Sequence, residues 1–297
     1  MEKQIITRGL LAGALAGLVA FCFARIFAEP VIDKAIAYEN GRDAAQAVLD
    51  KAAGLPIDPG GPDIFSRTVQ SNIGIGVGLI GFGAAMGALY SVVYLLCLGR
   101  VGRIQPKVLA LLVAGAGLAG IYLVPYLKYP ANPPAIGHAE TIKPRAALYL
   151  TMVVCSLAFI LAATWLGRRL APRFGNWNAT LLSALAFAAA IGIVMAILPS
   201  LGELSANVHA YGHHATETPL PLTDPKGNIV YPGFPADVLF SFRFYSICNQ
   251  VILWGTLALI FGPLAERVLR PVMQRAEATG AAGSGSGSGS GVTAAAV

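Results

Sequence analysis

"TVQSNIGIGVGLIGFGAAMGALYSVVYLLCLG", residues 68–99, is a run of 32 residues without a single charge. A helix needs about 20 apolar residues to cross the hydrocarbon core of a bilayer, so this run predicts a membrane-spanning helix. The rest of the chain has the same character, because 56% of its 297 residues are hydrophobic and only 12% are charged. That composition leaves too little polar surface to cover a water-soluble protein of this size.

Five further uncharged runs predict the remaining helices of a bundle. They lie between Arg8 and Arg25 (16 residues), Lys107 and Lys128 (20), Arg145 and Arg168 (22), Arg173 and Glu203 (29), and Arg243 and Glu266 (22). The first run reaches membrane length when it is read from Ile5 to Phe27, with its two arginines extending towards opposite interfaces. We therefore expect an all-α membrane protein, a six-helix transmembrane bundle with spans at about 5–27, 72–98, 107–127, 146–167, 178–199 and 245–265.

The two ends of the chain predict a retained first helix and a flexible tail. Lys3 and Arg8 precede an apolar stretch, as in a secretory signal peptide, but no clear cleavage site follows that stretch. We expect one transmembrane domain over residues 1–275. Residues 276–297 contain the repeat GSGSGSGSG, which cannot bury enough surface to order itself and predicts a flexible Gly/Ser tail.

The distribution of basic residues predicts that both termini are cytoplasmic. With the N-terminus inside, two tight turns and two tails carry eleven Lys and Arg residues, whereas the longer outer segments carry nine. Lys and Arg in short loops favour the cytoplasmic side. The outer segments, residues 28–68, 128–145 and 200–243, then hold twelve of the fifteen Asp and Glu residues and all four histidines. The predicted outer face is therefore rich in metal-ligating groups.

A histidine-rich tract, VHAYGHHATE at residues 208–217, contains three of the four histidines within six positions. Neutral imidazole is a good ligand for divalent first-row metals, and short His-rich tracts are typical of metal binding. We expect transient metal contacts from His209, His213, His214 and Glu217. The alternative is that these loop histidines are simply solvated. A di-iron centre of the membrane desaturase kind is excluded, because it needs about eight histidines.

The segment ARIFAEPVIDKAI, residues 24–36, brings charges to the outer end of the first span. Arg25, Glu29 and Asp33 are four residues apart and would share one helix face, although Pro30 predicts a kink or a restart there. We expect Glu29 to neutralise Arg25, because lone charges at that depth are costly. The alternative is that Glu29 and Asp33 offer oxygen ligands to an arriving cation.

The segment LVPYLKYPANPPAIG, residues 123–137, predicts a break in regular structure. Pro125 should bend the third span near its outer end, and Pro130, Pro133 and Pro134 forbid helical hydrogen bonding beyond it. The carbonyl groups that these prolines leave without helical donors need other partners. Those partners are water at an ordinary interface, or a hydrated cation at a protein-lined cavity.

Glycine stripes predict close packing between helices. They repeat at every fourth residue: Gly9, Gly13 and Gly17 on the first helix, and Gly74 with Gly78 and Gly83 with Gly87 on the second. Small residues on one face let helix backbones approach closely in a bilayer. The sequence GVGLIG at residues 76–81 matches a dinucleotide fingerprint, but it lies deep in a predicted span. Because no acid, base and nucleophile set is assembled either, we expect no enzyme.

Several separated segments resemble the CbtA family of predicted cobalt transporter subunits. They extend in order from about residue 5 to 267: RGLLAGALAGLVAFCFARIFAEPVIDKAIAYE, SRTVQ, LKYPANPPAIG followed by TIKPRAALYL, NWNATLL, LPSLGE, and FPADVLFSFRFYSICNQVILWG. The resemblance implies a bacterial inner-membrane protein that takes up cobalt, is linked to cobalamin synthesis and pairs with a small single-span CbtB subunit. The stretch HAYGHH looks like an expansion relative to the family, so its histidines would assist capture without defining the transport site.

Residues carried over from the family's recurring segments form the expected pathway. They are Arg25, Glu29, Lys128, Tyr129, Pro130, Asn132, Pro133, Pro134 and Arg243. We therefore expect a multi-pass subunit for Co²⁺ uptake, with no permanently bound cofactor and no nucleic-acid partner, that gathers the cation at an acidic, histidine-bearing outer face. The alternatives are a permease for Ni²⁺ or Zn²⁺, which these ligand types distinguish poorly from Co²⁺, and a non-transporting membrane scaffold subunit.

Overall fold

Helices dominate the computed structural model, which describes residues 2–56, 65–102 and 104–285 of the chain. The α-helices are α1 Glu2–Phe23, α2 Glu29–Ala52, α3 Arg67–Val69, α4 Ile75–Cys97, α5 Pro106–Gly117, α6 Val124–Lys128, α7 Ile142–Ile197, α8 Ser205–Tyr211 and α9 Ala236–Gly285. π-Helical segments at Ala24–Ala28, Gln70–Gly74 and Leu118–Leu123 join α1 to α2, α3 to α4 and α5 to α6. A short antiparallel hairpin pairs β1 Leu222–Thr223 with β2 Ile229–Tyr231.

Five helical stretches within these ranges are long and apolar enough to cross a membrane. They are Glu2–Ala52, Arg67–Cys97, Pro106–Lys128, Ala139–Glu203 and Ala236–Pro271. The fourth is 65 residues long, which at about 1.5 Å per residue is roughly three times the thickness of the hydrocarbon core. This composition and length confirm the predicted all-α membrane fold.

The long helix α7 is divided at Gly175 into two antiparallel halves. Gly175 has φ 74° and ψ 162°, a non-helical conformation that favours glycine. The halves fold back on each other, because a Cβ atom placed on Gly167 would lie 3.1 Å from Ser183 Oγ. Counting this hairpin as two, the described part of the chain forms six helical segments of membrane length, close to the predicted spans.

The close contact between α1 and α4 confirms most of the predicted glycine packing. A Cβ atom on Gly13 would lie 2.1 Å from the carbonyl oxygen of Gly83, and one on Gly87 would lie 2.1 Å from that of Gly9. No side chain fits at such distances, so the two backbones touch directly. The prediction is wrong for the pair Gly74 and Gly78. An added Cβ would meet only Val69 O of the same helical stretch, at 3.7 Å, on Gly74 and no atom within 4 Å on Gly78.

The prolines near the outer helix ends follow widened turns rather than breaks. The helix continues from α1 into α2 through the π-helical turn Ala24–Ala28, which lies just before Pro30. Proline lacks an N–H and its ring crowds the carbonyl four residues earlier, and a π turn relieves that crowding. The segment Leu118–Leu123 precedes Pro125 in the same way. The kink or restart expected at Pro30 is therefore a π turn, and the helix extends to Ala52.

The three segments predicted to share the outer face do meet at one end of the bundle. α2 contacts the hairpin region, since the Tyr38 hydroxyl donates to Pro232 O at 3.0 Å and Arg42 Nη1 donates to Leu220 O at 2.8 Å. An apolar cluster joins α2, the proline-rich segment and the start of α9: Val31, Ala35, Tyr38, Ile136, Phe234 and Val238. We call this end, built from α2, residues 129–141 and residues 200–235, the acidic end.

Two predictions fall partly outside the described residues. Residues 57–64 of the first predicted outer segment and Arg103 of an inner turn are not described. The backbone of α9 continues to Gly285, and residues 286–297 of the predicted tail lie outside the description. The boundary at residue 275 and the flexible tail stay predictions.

The glycine contact yields a test with a control in the same helix. We expect Gly83→Ala to lower the free energy of unfolding by about 1–3 kcal/mol, because a Cβ there would lie 2.4 Å from Gly13 O. Gly81→Ala, two residues away on α4, adds its methyl group where no atom lies within 4 Å. Thermal unfolding of the two purified variants in the same detergent compares them. Equal melting temperatures would contradict direct backbone contact between α1 and α4.

Candidate functional site

Two glutamates at the acidic end are almost completely buried in the part of the chain that the structure describes. Glu29 and Glu217 each expose only 1% of their surface. A carboxylate removed from water is strongly destabilising unless it is paired and hydrogen-bonded. Each glutamate therefore has an arginine partner, Arg67 for Glu29 and Arg145 for Glu217.

Glu217 is held by donors from three separate parts of the chain. Its Oε2 accepts from Arg145 Nη1 at 3.1 Å and from Asn132 Nδ2 at 3.2 Å, and its Oε1 accepts from Asn207 Nδ2 at 3.1 Å. The backbone of Gly137 makes room for this pair. A Cβ atom there would lie 2.4 Å from Arg145 Nη1, and φ of +92° independently favours glycine.

The same network supplies donors to the proline-rich segment. Arg243 Nη2 donates to Asn132 Oδ1 at 2.9 Å, and Arg243 Nε donates to Ala131 O at 3.3 Å. Arg145 Nη1 also donates to Ile136 O at 3.4 Å. The backbone oxygens of Ala131 and Ile136 in this non-helical segment are thus bonded to guanidinium groups, and neither water nor a metal ion is required at these two oxygens. The carbonyl that Pro125 leaves without a helical donor, Ile121 O, accepts from the Tyr149 hydroxyl at 3.0 Å.

Other residues of the expected pathway surround this network. The Tyr129 hydroxyl donates to Pro199 O at 2.8 Å, and Lys128 Nζ lies 6.0 Å from the centroid of the Tyr129 ring. Pro133 is buried and Pro134 is exposed. A cleft of about 480 Å³ is lined by Tyr129, Pro130, Asn132, Ile142, Arg145, Ala146, Tyr149, Leu150 and Leu201. The only charged residue in this lining is Arg145, which is already paired with Glu217, so the cleft offers no carboxylate to a cation.

The histidines lie apart from Glu217. His209 is exposed on α8, and the side chain of His213 is 78% exposed with its Nδ1 2.8 Å from Glu203 Oε2. In residues 2–56, 65–102 and 104–285, no three His, Cys, Asp or Glu side chains are arranged to hold a metal ion. The expectation that Glu217 joins the histidines needs correction, because its buried charge is already committed to Arg145.

The second buried carboxylate, Glu29, pairs with an arginine that sequence reasoning missed. Arg67 Nη2 bonds Glu29 Oε1, and Arg67 also donates to Asp33 Oδ1 from Nη2 at 2.9 Å and from Nε at 3.1 Å. Arg25 instead donates to Asn72 Oδ1 at 2.9 Å. The expected neutralisation of Arg25 by Glu29 is therefore wrong. Glu29 and Asp33 do share a helix face, but that face meets the start of α3.

A cavity of about 340 Å³ lies beside Glu29. α4 and α9 complete its walls, and its polar lining comes from Glu29, Tyr245, Ser246 and Asn249. Glu29 Oε2 and Asn249 Oδ1 are buried without a hydrogen-bond partner. The sequence indicates Asn249 only as one of a few polar residues within the spans, and no local motif connects it with Glu29.

The bundle and its buried ion pairs define a multi-pass α-helical membrane protein with a polar network at one end. The chain belongs to the CbtA family, because the model of that family, described as a probable cobalt transporter subunit, matches residues 2–266. Comparison with curated proteins and with solved structures finds no match. The family description supports a role in cobalt transport, points away from an enzyme, and implies a metal ion as substrate and partner proteins.

The burial of Glu217 predicts that losing its ion pair lowers stability much more than losing an exposed ion pair. Arg145→Met would leave the fully buried Glu217 carboxylate without its ion pair, and removing one partner of a buried pair costs about 3–5 kcal/mol. Lys107→Met is the control, since Lys107 and Glu266 are 54% and 29% exposed and such pairs contribute about 0–1 kcal/mol. Thermal unfolding of both variants in detergent measures the difference. Similar melting temperatures would show that Glu217 does not depend on Arg145.

Proposed function

We propose that this protein carries Co²⁺ into the cell across the bacterial inner membrane and receives the ion at the acidic end. The observation that carries the proposal is the family match over residues 2–266, which connects the whole membrane domain with cobalt transport. The direction rests on the charges. Lys and Arg concentrate in the short turns and tails at the other end, which favours a cytoplasmic position for both termini.

The histidine-rich tract acts as a capture surface in this proposal. The imidazoles of His209 and His213 are exposed and accessible to a hydrated ion, whereas His214 is half-buried. Glu203 adds a carboxylate oxygen 2.8 Å from His213 Nδ1. Imidazole and carboxylate ligands suit first-row divalent metals such as Co²⁺. Glu217 contributes indirectly, because its bonds to Asn132, Asn207 and Arg145 hold the base of the same loop.

The family resemblance suggests the protein partner, and the ligand types suggest which metals compete with Co²⁺. A small single-span subunit of the CbtB kind is the proposed protein partner, and Co²⁺ is the transported substrate rather than a resident cofactor. Because these ligands separate Co²⁺ poorly from Ni²⁺ and Zn²⁺, competition by those ions against labelled cobalt measures selectivity. Purified protein that carries no cation into liposomes, alone or with its small partner, would instead indicate a scaffold subunit.

Removing the imidazoles tests the capture surface. We expect the triple variant His209→Ala/His213→Ala/His214→Ala to take up less cobalt than the parent protein when the metal is scarce. Uptake at high metal should stay unchanged, because the membrane domain is intact. Initial rates in cells that express equal amounts of both proteins give the comparison. Unchanged uptake at limiting cobalt would remove the capture role of the tract.

The direction of transport has its own test, by labelling single cysteines from one side of the membrane. In a background without Cys22, Cys97, Cys155 and Cys248, we expect Ala210→Cys to react with an impermeant maleimide in intact spheroplasts. Asn176→Cys, exposed beside the turn at Gly175, should react only after permeabilisation. The reverse pattern would place the acidic end in the cytoplasm and overturn uptake.

A further inference from the structure

The cavity beside Glu29 is formed where the helices of the bundle are locally widened. Ala24, Ala28 and Glu29 line it from the π turn and the start of α2. Ile75 and Leu79 line it from the start of α4, and α9 supplies its third wall. The α4 wall follows directly after the π-helical segment Gln70–Gly74. π-Helical turns often occur at functional sites, where they displace the backbone from regular packing. The cavity therefore lies between two such turns.

Two oxygen atoms at this cavity have no hydrogen-bond donor. Glu29 is 1% exposed, its Oε1 is bonded to Arg67, and its Oε2 has no partner. Asn249 Oδ1 is buried without a partner as well. The Ser246 hydroxyl donates to Phe242 O at 2.8 Å and is in hydrogen-bonding contact with the Tyr122 hydroxyl, which leaves one of its lone pairs available. Buried acceptors are nearly always satisfied, so two unpartnered oxygens at one cavity indicate an occupant that supplies positive charge and hydrogen-bond donors, as a hydrated cation does.

Size and charge agree with a hydrated divalent ion. The volume of about 340 Å³ holds on the order of ten waters at about 30 Å³ each, enough for an ion that keeps most of its hydration shell. Glu29 and Asp33 carry two negative charges against the single positive charge of Arg67. Arg25 is bonded to Asn72 and does not line the cavity. The group of Glu29, Asp33 and Arg67 therefore has one net negative charge, and of these three side chains only the Glu29 carboxylate lines the cavity.

Arg67 is positioned to exchange with an arriving ion. It donates one hydrogen bond to Glu29 and two to Asp33, so the two bonds to Asp33 can remain when the bond to Glu29 breaks. Asp33 is 60% exposed, so the Arg67–Asp33 pair can persist in water without a large desolvation cost. Glu29 can thus change its partner from a guanidinium to a metal ion without leaving Arg67 unpaired.

We propose that this cavity binds a hydrated divalent cation through Glu29 Oε2, Asn249 Oδ1 and Ser246 Oγ, and that Arg67 leaves Glu29 for Asp33 when the ion enters. The inference rests on the proposed function, for which it supplies a site inside the bundle. Asn249 lies six residues beyond Arg243 along α9, about 9 Å deeper at about 1.5 Å per residue. Oxygen ligands hold Co²⁺ more weakly than imidazoles do, and a site on a transport path must release its ion.

The test measures Co²⁺ binding rather than transport. The full chain is reconstituted in lipid nanodiscs in the His209→Ala/His213→Ala/His214→Ala background, so that the outer tract does not contribute, and is titrated with CoCl₂ by calorimetry. We expect one ion per chain. Glu29→Gln should weaken binding about tenfold or more and Asn249→Leu by several-fold, because each removes a ligand oxygen. The control Gln250→Leu, at the next position on α9 and outside the cavity lining, should bind as the background does.

Arg67→Gln separates a metal site from a merely structural ion pair. If Arg67 competes with the ion for Glu29, its removal should strengthen Co²⁺ binding several-fold, opposite in sign to the effect of Glu29→Gln. If the Arg67–Glu29 pair is only structural, Arg67→Gln and Glu29→Gln should both weaken Co²⁺ binding. Should Glu29→Gln fail to yield folded protein, Asn249→Leu carries the same test. Binding that is absent in the background, or unchanged in both Glu29→Gln and Asn249→Leu, overturns the proposal.

Uptake by cells distinguishes the failure of this inference from the failure of the proposed function. If cells that express the chain accumulate cobalt while Glu29→Gln and Asn249→Leu bind Co²⁺ normally, only the cavity site is wrong. If the cavity binds Co²⁺ with the expected sensitivity but expression with the small partner gives no uptake, the transport function is wrong and the site stands.

Discussion

The acidic end depends on one constraint: a carboxylate that is buried away from water must be paired with a positive charge and hydrogen-bonded. Glu217 meets that condition through Arg145, which is 72 residues away in the chain, and through Asn132, which is 85 residues away. A single buried charge therefore fixes the proline-rich segment, the start of α7 and the loop after α8 relative to one another. Helix packing inside the bilayer sets the frame, but this ion pair determines how the connecting segments lie across its end.

The two buried glutamates differ in how completely they are satisfied, and that difference separates structure from function. Both oxygens of Glu217 have donors, although Asn207 Oδ1 in the same network is buried without one. Glu29 has a donor on one oxygen only. An unsatisfied buried acceptor costs about 1–3 kcal/mol, a large fraction of the stability of an ordinary domain. An unsatisfied acceptor beside a cavity is better explained by a bound occupant than by helix packing.

Much of the fold follows from local sequence, whereas the partners of the buried charges do not. The uncharged runs predict the spans because the bilayer fixes the length of any helix that crosses it. The spacing of Gly9 and Gly13 predicts a packing face, but which glycines of α4 meet it depends on the crossing of two helices. The sequence predicts that Glu29 pairs with Arg25, its neighbour on the same helix, whereas its partner in the structure is Arg67, 38 residues away. The useful signal was the family resemblance, since Arg67 and Arg145 lie within SRTVQ and TIKPRAALYL.

In the proposed cavity site, an arginine that can pair with either of two carboxylates would overcome a difficulty that any cation pathway through lipid presents. An empty site with a bare negative charge is unstable in a medium of low dielectric constant, whereas a site that is permanently neutralised cannot attract an ion. Arg67 satisfies both requirements, because it compensates Glu29 when the cavity is empty and can remain with Asp33 when it is filled. Its return to Glu29 would also help to expel the ion, since two cations cannot share one buried carboxylate cheaply. Binding and release would then depend on the movement of one side chain, with no rearrangement of the glycine-packed helices that hold the bundle together.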